Sequence, residues 1–506
     1  MRRLVILVLA VAVGSFGAIG GAQAQAPSRG GIVNIGVVSD PVTLDPAKMG
    51  SFFELSVQYL IYEPLLRITP DLKIEPGLVE KWQVSGDKVY DFTLRSGLTF
   101  HDGTPLDAAA VKSNLDRMLN PETGSPRRSE LGPIESVQVR GPLAFRIVLS
   151  RPYAPFLSVL TNRGGMMVSP TAVKNFGPDF ASKGVGAGPF KVVRWVKNSE
   201  LVLDRFDGYW RKDQPYLDHI VLKPMSDETV RLTNLKSGTL QLVDAVPPQN
   251  VAELKKLGGL RLYEQSGLGF NDIALNVSKP PFDNGKVRQA LWYAFDPGVI
   301  QRVVFFDTGT VAYGPIPPAM RWVYDEKFKP YQHDAQKAKT LLTEAGQQGG
   351  VAFTITVTNS PIQVKIAQIL QAAAAEAGFR VTIRQIDTTG LLAVLQAGDF
   401  DACWAPWSGR PDPDGNMFNY FTIGGPNNFA RYKSEPVDEQ LKKARVTLDQ
   451  TERAKLYREA QAQIAADAAF VFFHHDAILQ ASTENLVGYP QYPDGAFHLE
   501  GVGLKK

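Results

Sequence analysis

Residues 352–405 read AFTITVTNSPIQVKIAQILQAAAAEAGFRVTIRQIDTTGLLAVLQAGDFDACWA, and their hydrophobic rhythm switches repeatedly. Residues 352–357 are rich in β-branched and aromatic side chains, which fit a pleated strand. Residues 364–377 carry apolar side chains three and four apart and a run of alanines, the pattern of a helix, and Gly378 supplies the left-handed residue on which helices commonly end. Residues 381–386 predict a second strand, 391–396 a short helix and 400–405 a third strand. Strands alternating with helices in this order predict a parallel sheet, because parallel neighbours need a long crossover rather than a tight turn. In open sheets of this kind ligands sit beyond the carboxyl ends of the strands. The loop that begins after Ala405 is therefore a predicted site.

Outward from this unit, toward the amino terminus, the pattern changes. Tyr90, Phe92 and Leu94 alternate with Asp91, Thr93 and Arg95, and Phe145, Ile147 and Leu149 repeat the period of two that marks half-buried strands. A helix is predicted to begin after Asp107, a good N-cap, to place Val111, Leu115 and Met118 on one face, and to close before Pro121. The first half thus reads as strand-dominated α+β. A chain of 506 residues is long enough for two or more cores. It contains no internal repeat, low-complexity tract or flexible linker that would separate domains in sequence. Discontinuous domains are the remaining arrangement, with residues 268–277 and 471–480 as the extended segments expected to cross between them.

Arg2 and Arg3 precede an apolar run over residues 4–16, and Ala22, Gln23 and Ala24 follow with the small residues of a signal-peptidase site. A signal peptide over residues 1–24, cleaved near Ala24, is expected. The apolar run is too short to cross a bilayer, and no later stretch reaches the about 18 apolar residues a membrane helix needs. The only cysteine, Cys403, lies far from the lipoprotein position and can form no internal disulfide. A soluble, monomeric protein of a Gram-negative periplasm is the expectation. Formal charge is +3, from 54 Lys+Arg against 51 Asp+Glu, and falls near neutrality once Arg2 and Arg3 are removed. Without a block of basic residues, nucleic acid and membrane surfaces are poor partners.

The loop after the third strand reads WAPWSGRPDPDGN and crowds Trp404, Trp407, Arg410, Asp412 and Asp414. Indoles offer broad apolar and cation-binding faces, and a guanidinium holds a carboxylate or phosphate through two parallel hydrogen bonds. Together they suit a zwitterionic or anionic organic ligand. The structural alternative is that the tryptophans pack beneath the loop and Arg410 pairs with Asp412 or Asp414. A secreted hydrolase could use Asp412 and Asp414 as acid and base, but no nucleophile elbow or zinc-binding helix accompanies them. His474 and His475 are adjacent in a strand-like run and point to opposite faces, which argues against chelation of one ion by the pair and for ordinary packing or surface placement. No metal, cofactor or catalytic residue is expected.

Residues 78–121, LVEKWQVSGDKVYDFTLRSGLTFHDGTPLDAAAVKSNLDRMLNP, resemble the signature region of family 5 of the bacterial extracellular solute-binding proteins, the peptide-, opine- and nickel-binding receptors of ABC importers. LDP at 44–46, YEPLL at 62–66, GAGPF at 186–190 and VRQALWYAFD at 287–296 follow the family's order. The resemblance implies an α/β, two-lobed periplasmic binding protein of the type II, large peptide-binding class, with an added α+β subdomain in the first lobe. On this reading lobe I comprises residues 25–270 and 478–506, with the subdomain over about 70–185, and lobe II comprises 271–477. It further implies a peptide or peptide-like ligand enclosed between lobes and delivered to an ABC permease in the inner membrane. Phe52, Phe53, Arg163 and Tyr313 stand where such proteins border the cleft and join Trp404, Trp407, Arg410 and Asp412 as candidate contacts. Dipeptide-binding relatives place an aspartate shortly after the loop tryptophan to hold the ligand's ammonium. Here Arg410 takes that place, which leaves Asp412 as the alternative clamp for an ammonium, so an opine, a modified peptide, a glutathione-like compound or a sugar phosphate also fits the resemblance, and a receptor of the same fold for a metal chelate is a further alternative.

Overall fold

The computed structural model describes residues 27–50 and 53–505, of Phe53 only the main chain. The expected signal peptide and Phe52 lie outside the described residues. Two sheets organise the chain. The first has seven strands in the order Leu260–Ser266, Ala477–Thr483, Leu242–Val243, Ile32–Val37, His219–Pro224, Glu200–Arg205 and Phe190–Val196. The second has five, in the order Phe379–Ile386, Val351–Thr358, Ala402–Trp404, Asn271–Leu275 and Phe470–His474. Each sheet covers its own apolar core, one centred on Val33, Ile35, Leu203 and Ile220, the other on Ile355, Ala402, Phe470 and Phe472.

The second sheet contains the parallel unit predicted from residues 352–405. Val351–Thr358 pairs in parallel with both Phe379–Ile386 and Ala402–Trp404. Its helices run longer than their apolar periodicity alone indicates. Pro361 opens Pro361–Ala377, since proline is suited to a first turn where no N–H is needed, and the Asp387 carboxylate caps Thr388–Ala397 through the Gly390 N–H at 2.8 Å. The third strand is shorter than predicted, Ala402–Trp404, with only Ala402 and Cys403 paired to Val351–Thr358.

A four-stranded antiparallel sheet in the first half pairs Val79–Ser85, Val89–Leu94, Ala144–Leu149 and Ile134–Val139 in that order. Tyr90, Phe92 and Leu94 are buried with Phe145, Ile147 and Leu149, as the alternation requires. Helix Ala108–Leu119 closes over this face with Val111, Leu115 and Met118 buried, and Asp107 accepts the Ala110 N–H at 2.9 Å. This sheet has its own core.

The chain passes between the two large sheets twice. Leu260–Ser266 leads through residues 267–270 into Asn271–Leu275, and Phe470–His474 leads through residues 475–476 into Ala477–Thr483. The crossings touch, the Gly267 N–H donating to the Asp476 carbonyl at 2.8 Å. Among the described residues no helix is long and apolar enough to cross a membrane.

Candidate ligand-binding site

The loop that leaves Ala402–Trp404 is fixed to the first crossing segment by backbone. The Phe270 and Trp407 main chains exchange both hydrogen bonds, at 3.0 and 2.9 Å. A Cβ on Gly409 would lie 2.1 Å from the Leu268 carbonyl oxygen, and its φ of +83° is itself disfavoured for other residues, so only glycine fits this approach. Asn416, fully buried on helix Pro413–Phe421, ties the rest. Its Oδ1 accepts from the Arg410 N–H at 2.8 Å and the Trp407 Nε1 at 3.2 Å, while its Nδ2 donates to the Leu268 carbonyl at 2.8 Å. Any movement of this loop is thus mechanically linked to the crossing.

The charges in the loop part company. Asp412 caps the helix through the Asp414 N–H at 3.0 Å and pairs with Arg453 at 2.7 Å. Asp414 receives two parallel bonds from Arg445, at 2.8 and 2.7 Å. Neither touches Arg410. The Arg410 guanidinium lies over the Trp407 ring, 4.6 Å from its centroid, and donates from Nη2 to the Glu130 Oε1 at 2.9 Å.

Glu130 comes from the other side, on the single turn Arg128–Leu131 beside the four-stranded sheet. Its Oε2 lies 3.0 Å from the Arg163 Nε, and its Oε1 also accepts from the Arg127 Nη1 at 3.4 Å. Burial would raise this carboxyl, but Arg163, Arg410 and Arg127 outweigh it and hold it below the usual glutamate range. The arginines show the converse. Burial drives Arg163 down to about 10, and Arg410 and Arg127 push the same way against the pull of Glu130. Three guanidiniums gather on this carboxylate, with Glu54 adding a second negative charge near Arg127, so the group carries an excess of positive charge.

Arg163, Arg410 and Glu130 face a cavity of about 470 Å³ between the two halves of the molecule, a size suited to a small organic ligand. Glu130, Tyr153, Asn162 and Arg163 line it from the first side, and Trp407, Arg410 and Asn419 from the second. The Ala154 N–H donates to the Arg445 carbonyl at 2.8 Å and seals one edge across the same gap. A second cavity of about 330 Å³ beside the crossing strands is lined by Asp244, Phe305, His474 and Asp476. It has the opposite character: burial pushes the Asp244 carboxyl up to about 6.

Of the residues singled out from the sequence, the structure brings Trp407, Arg410, Asp412, Asp414 and Arg163 to the interlobe cavity. Trp404 is buried in the second core, opposite Ile273 in the sheet, and Tyr313 packs half-buried against that core; neither is on the cavity wall. The Phe53 side chain lies outside the described part. Glu130, Tyr153, Asn162 and Arg445 carried no signal in the sequence, since their meeting depends on how two distant segments face each other. His474 and His475 are both buried and diverge: the first stacks on Phe305 and bonds Gln301, and the second bonds the Gly269 carbonyl. Among the described residues no group of His, Cys, Asp and Glu is placed to hold a metal ion. Burial pushes the Cys403 thiol up to about 12, far from the range of a reactive thiolate.

Residues 73–429 match the family described as bacterial extracellular solute-binding proteins, family 5 Middle. The glutathione-binding protein GsiB of Salmonella paratyphi A (strain ATCC 9150 / SARB42) is 31% identical over 485 residues, covering 94% of each chain. The periplasmic binding protein DppA of Helicobacter pylori, solved with the peptide STSA, superposes with a TM-score of 0.83 at 27% identity, covering 95% of this chain and 99% of that one. The binding protein AgaA from A. tumefacien R10, solved with agropinic acid, gives 0.81 at 28% identity over 94% and 99%.

Proposed function

This chain belongs to family 5 of the bacterial extracellular solute-binding proteins, and on that premise we propose that it is the periplasmic receptor of an ABC importer for a peptide or peptide-like organic acid. The observation that carries the reading is the pair of arginines, Arg163 and Arg410, that converge on one cavity from opposite sides of the interlobe gap. A ligand carboxylate reaching both would make charge-assisted bonds to each lobe at once, and such bonds exist only when the lobes meet. Binding then favours the closed form, and a permease that recognises the paired lobe surfaces takes the loaded protein. Glutathione, the peptide STSA and agropinic acid, the ligands named for the relatives, are all organic acids. An opine or a sugar phosphate offers the same kind of group.

In this reading residues 1–24 are a cleaved signal, lobe I comprises 25–270 with 478–506, and lobe II comprises 271–477; the crossings at 267–270 and 475–476 support that division. The protein acts as a monomer beside an inner-membrane permease. Nothing in the family or its relatives supports a hydrolase, and Asp412 and Asp414, each held by its own arginine, are poorly placed to exchange protons with a substrate.

The test is calorimetric titration of ligand-stripped protein with glutathione, STSA and agropinic acid, with small-angle scattering on the same samples. Saturable binding of at least one, accompanied by compaction and weakened in Arg410→Ala, is expected. Binding without compaction would sink the closure mechanism, and binding indifferent to Arg410→Ala would place the ligand elsewhere.

A further inference from the structure

Glu130 stands where a ligand's acid would stand. Its two oxygens are divided between the lobes, Oε2 toward Arg163 on its own side and Oε1 toward Arg410 on the other, at 3.0 and 2.9 Å. The side chain forms part of the cavity wall and keeps about a quarter of its surface exposed. It is carried on a single turn, Arg128–Leu131, rather than in a sheet or long helix. The other two carboxylates on that wall, Asp412 and Asp414, are committed to Arg453 and Arg445. Glu130 is therefore the one acidic group on the wall whose partners are the guanidiniums of the proposed ligand seat.

We propose that Glu130 is a built-in surrogate for the ligand's acidic group, a specificity-determining residue that clasps the lobes in a fraction of the ligand-free protein and must be displaced or joined by the incoming acid. This rests on the reading of Arg163 and Arg410 as the seat for a ligand acid. A tethered carboxylate competes at high effective concentration, so the affinity seen for any ligand is reduced by the fraction of protein in which the seat is occupied. Exchange of one carboxylate for another gains little in charge. The ligand that gains is one with two acidic groups, because on the cavity wall Arg163 and Arg410 share the single carboxylate of Glu130 and can accommodate a second negative charge. The site therefore discriminates against neutral and singly acidic solutes and selects those carrying two carboxylates or a phosphate.

Two measurements on Glu130→Gln, which preserves size and removes the charge, decide the matter. Small-angle scattering of the ligand-free proteins should show the variant more open than wild type. Calorimetry with glutathione, a probe with two carboxylates, should show binding about tenfold tighter in the variant. Equal compaction in the two ligand-free proteins overturns the clasp whether or not the probe binds. If glutathione binding requires Arg410 but is unchanged or weakened by Glu130→Gln, the surrogate role fails and the receptor reading stands. If glutathione binds both proteins and is insensitive to Arg410→Ala, the seat itself is misplaced and both fall.

Discussion

Two clusters of arginine and glutamate are built from the same side chains in opposite proportion. In the first lobe Arg67 is buried between Glu63, at 2.7 Å, and Glu500, with Glu75 further out at 3.7 Å and the Tyr209 hydroxyl donating to Glu63 at 2.9 Å. Burial would lower this guanidinium's affinity for its proton, but Glu500 and Glu63 outweigh it and drive Arg67 well above the ordinary value. Across the interlobe cavity the proportion inverts, with Arg127, Arg163 and Arg410 gathered on Glu130 and Glu54 adding a second negative charge near Arg127, and Arg127 and Arg163 are pushed down rather than up. Carboxylates in excess around buried Arg67, with Arg211 holding Glu75 and Glu500 from outside at 3.6 and 3.9 Å, close the structure. Arginines in excess around one carboxylate leave a field that an outside anion can complete. The first cluster is built for stability and the second for occupancy.

The comparison breaks most sharply at Arg67. Arg67→Ala takes the nearest cation from two buried carboxylates, Glu63 and Glu500, and should destabilise the fold by about 3 to 5 kcal/mol in denaturant melts. Acid reveals the same knot. Burial raises the Glu500 carboxyl, but Arg67 first, then His498 and Arg211, outweigh it and bring it to about 2, against 4.5 for a free glutamate. A carboxyl depressed in the folded state contributes stability above its unfolded value and loses it as pH falls through the folded one. The wild-type advantage over Arg67→Ala should therefore be full above about pH 4.5 and fade toward pH 2. A variant melting within 1 kcal/mol of wild type, a margin well below the penalty for an unpaired buried charge, would show that the knot is ornamental.

Arg410→Ala probes the other cluster and should separate affinity from stability. Loss of a charged hydrogen bond in the cavity should weaken an acidic ligand by about 1.5 to 3 kcal/mol in calorimetry, while the melting midpoint stays close to wild type. A stability loss as large as that of Arg67→Ala would erase the contrast. The smallest effect belongs to Arg146, whose guanidinium grips Asp91 in two bonds of 2.7 and 2.8 Å on the outside of the four-stranded sheet, both partners about a third exposed. The geometry matches that of the buried pairs, but solvent screens it. Arg146→Ala should cost only about 0.2 to 1 kcal/mol, and a larger loss would mean that geometry rather than burial sets the scale.

Where neighbours in sequence are neighbours in space, the chain was readable. Alternation at 90–94 and 145–149 gave strands, Asp107 gave a helix start, and the strand–helix rhythm of 351–404 gave a parallel unit with its loop at the carboxyl edge. Ends were less legible, because Pro361 and Asp387 set them by capping rather than by hydrophobic pattern. Within the loop the residue types were visible but their partners were not. Asp412 and Asp414, adjacent to Arg410 in sequence, turn to Arg453 and Arg445 on later helices, while Arg410 reaches Glu130, 280 positions away.

The sequence by itself determined the secondary structure, the division into strand-rich and strand–helix halves, and the family, since local periodicity and motif order survive without knowledge of packing. Only the tertiary structure decided which charges neutralise one another. An ion pair depends on a few ångströms of separation and on burial, and both are set by how distant segments are brought together across the gap between the lobes.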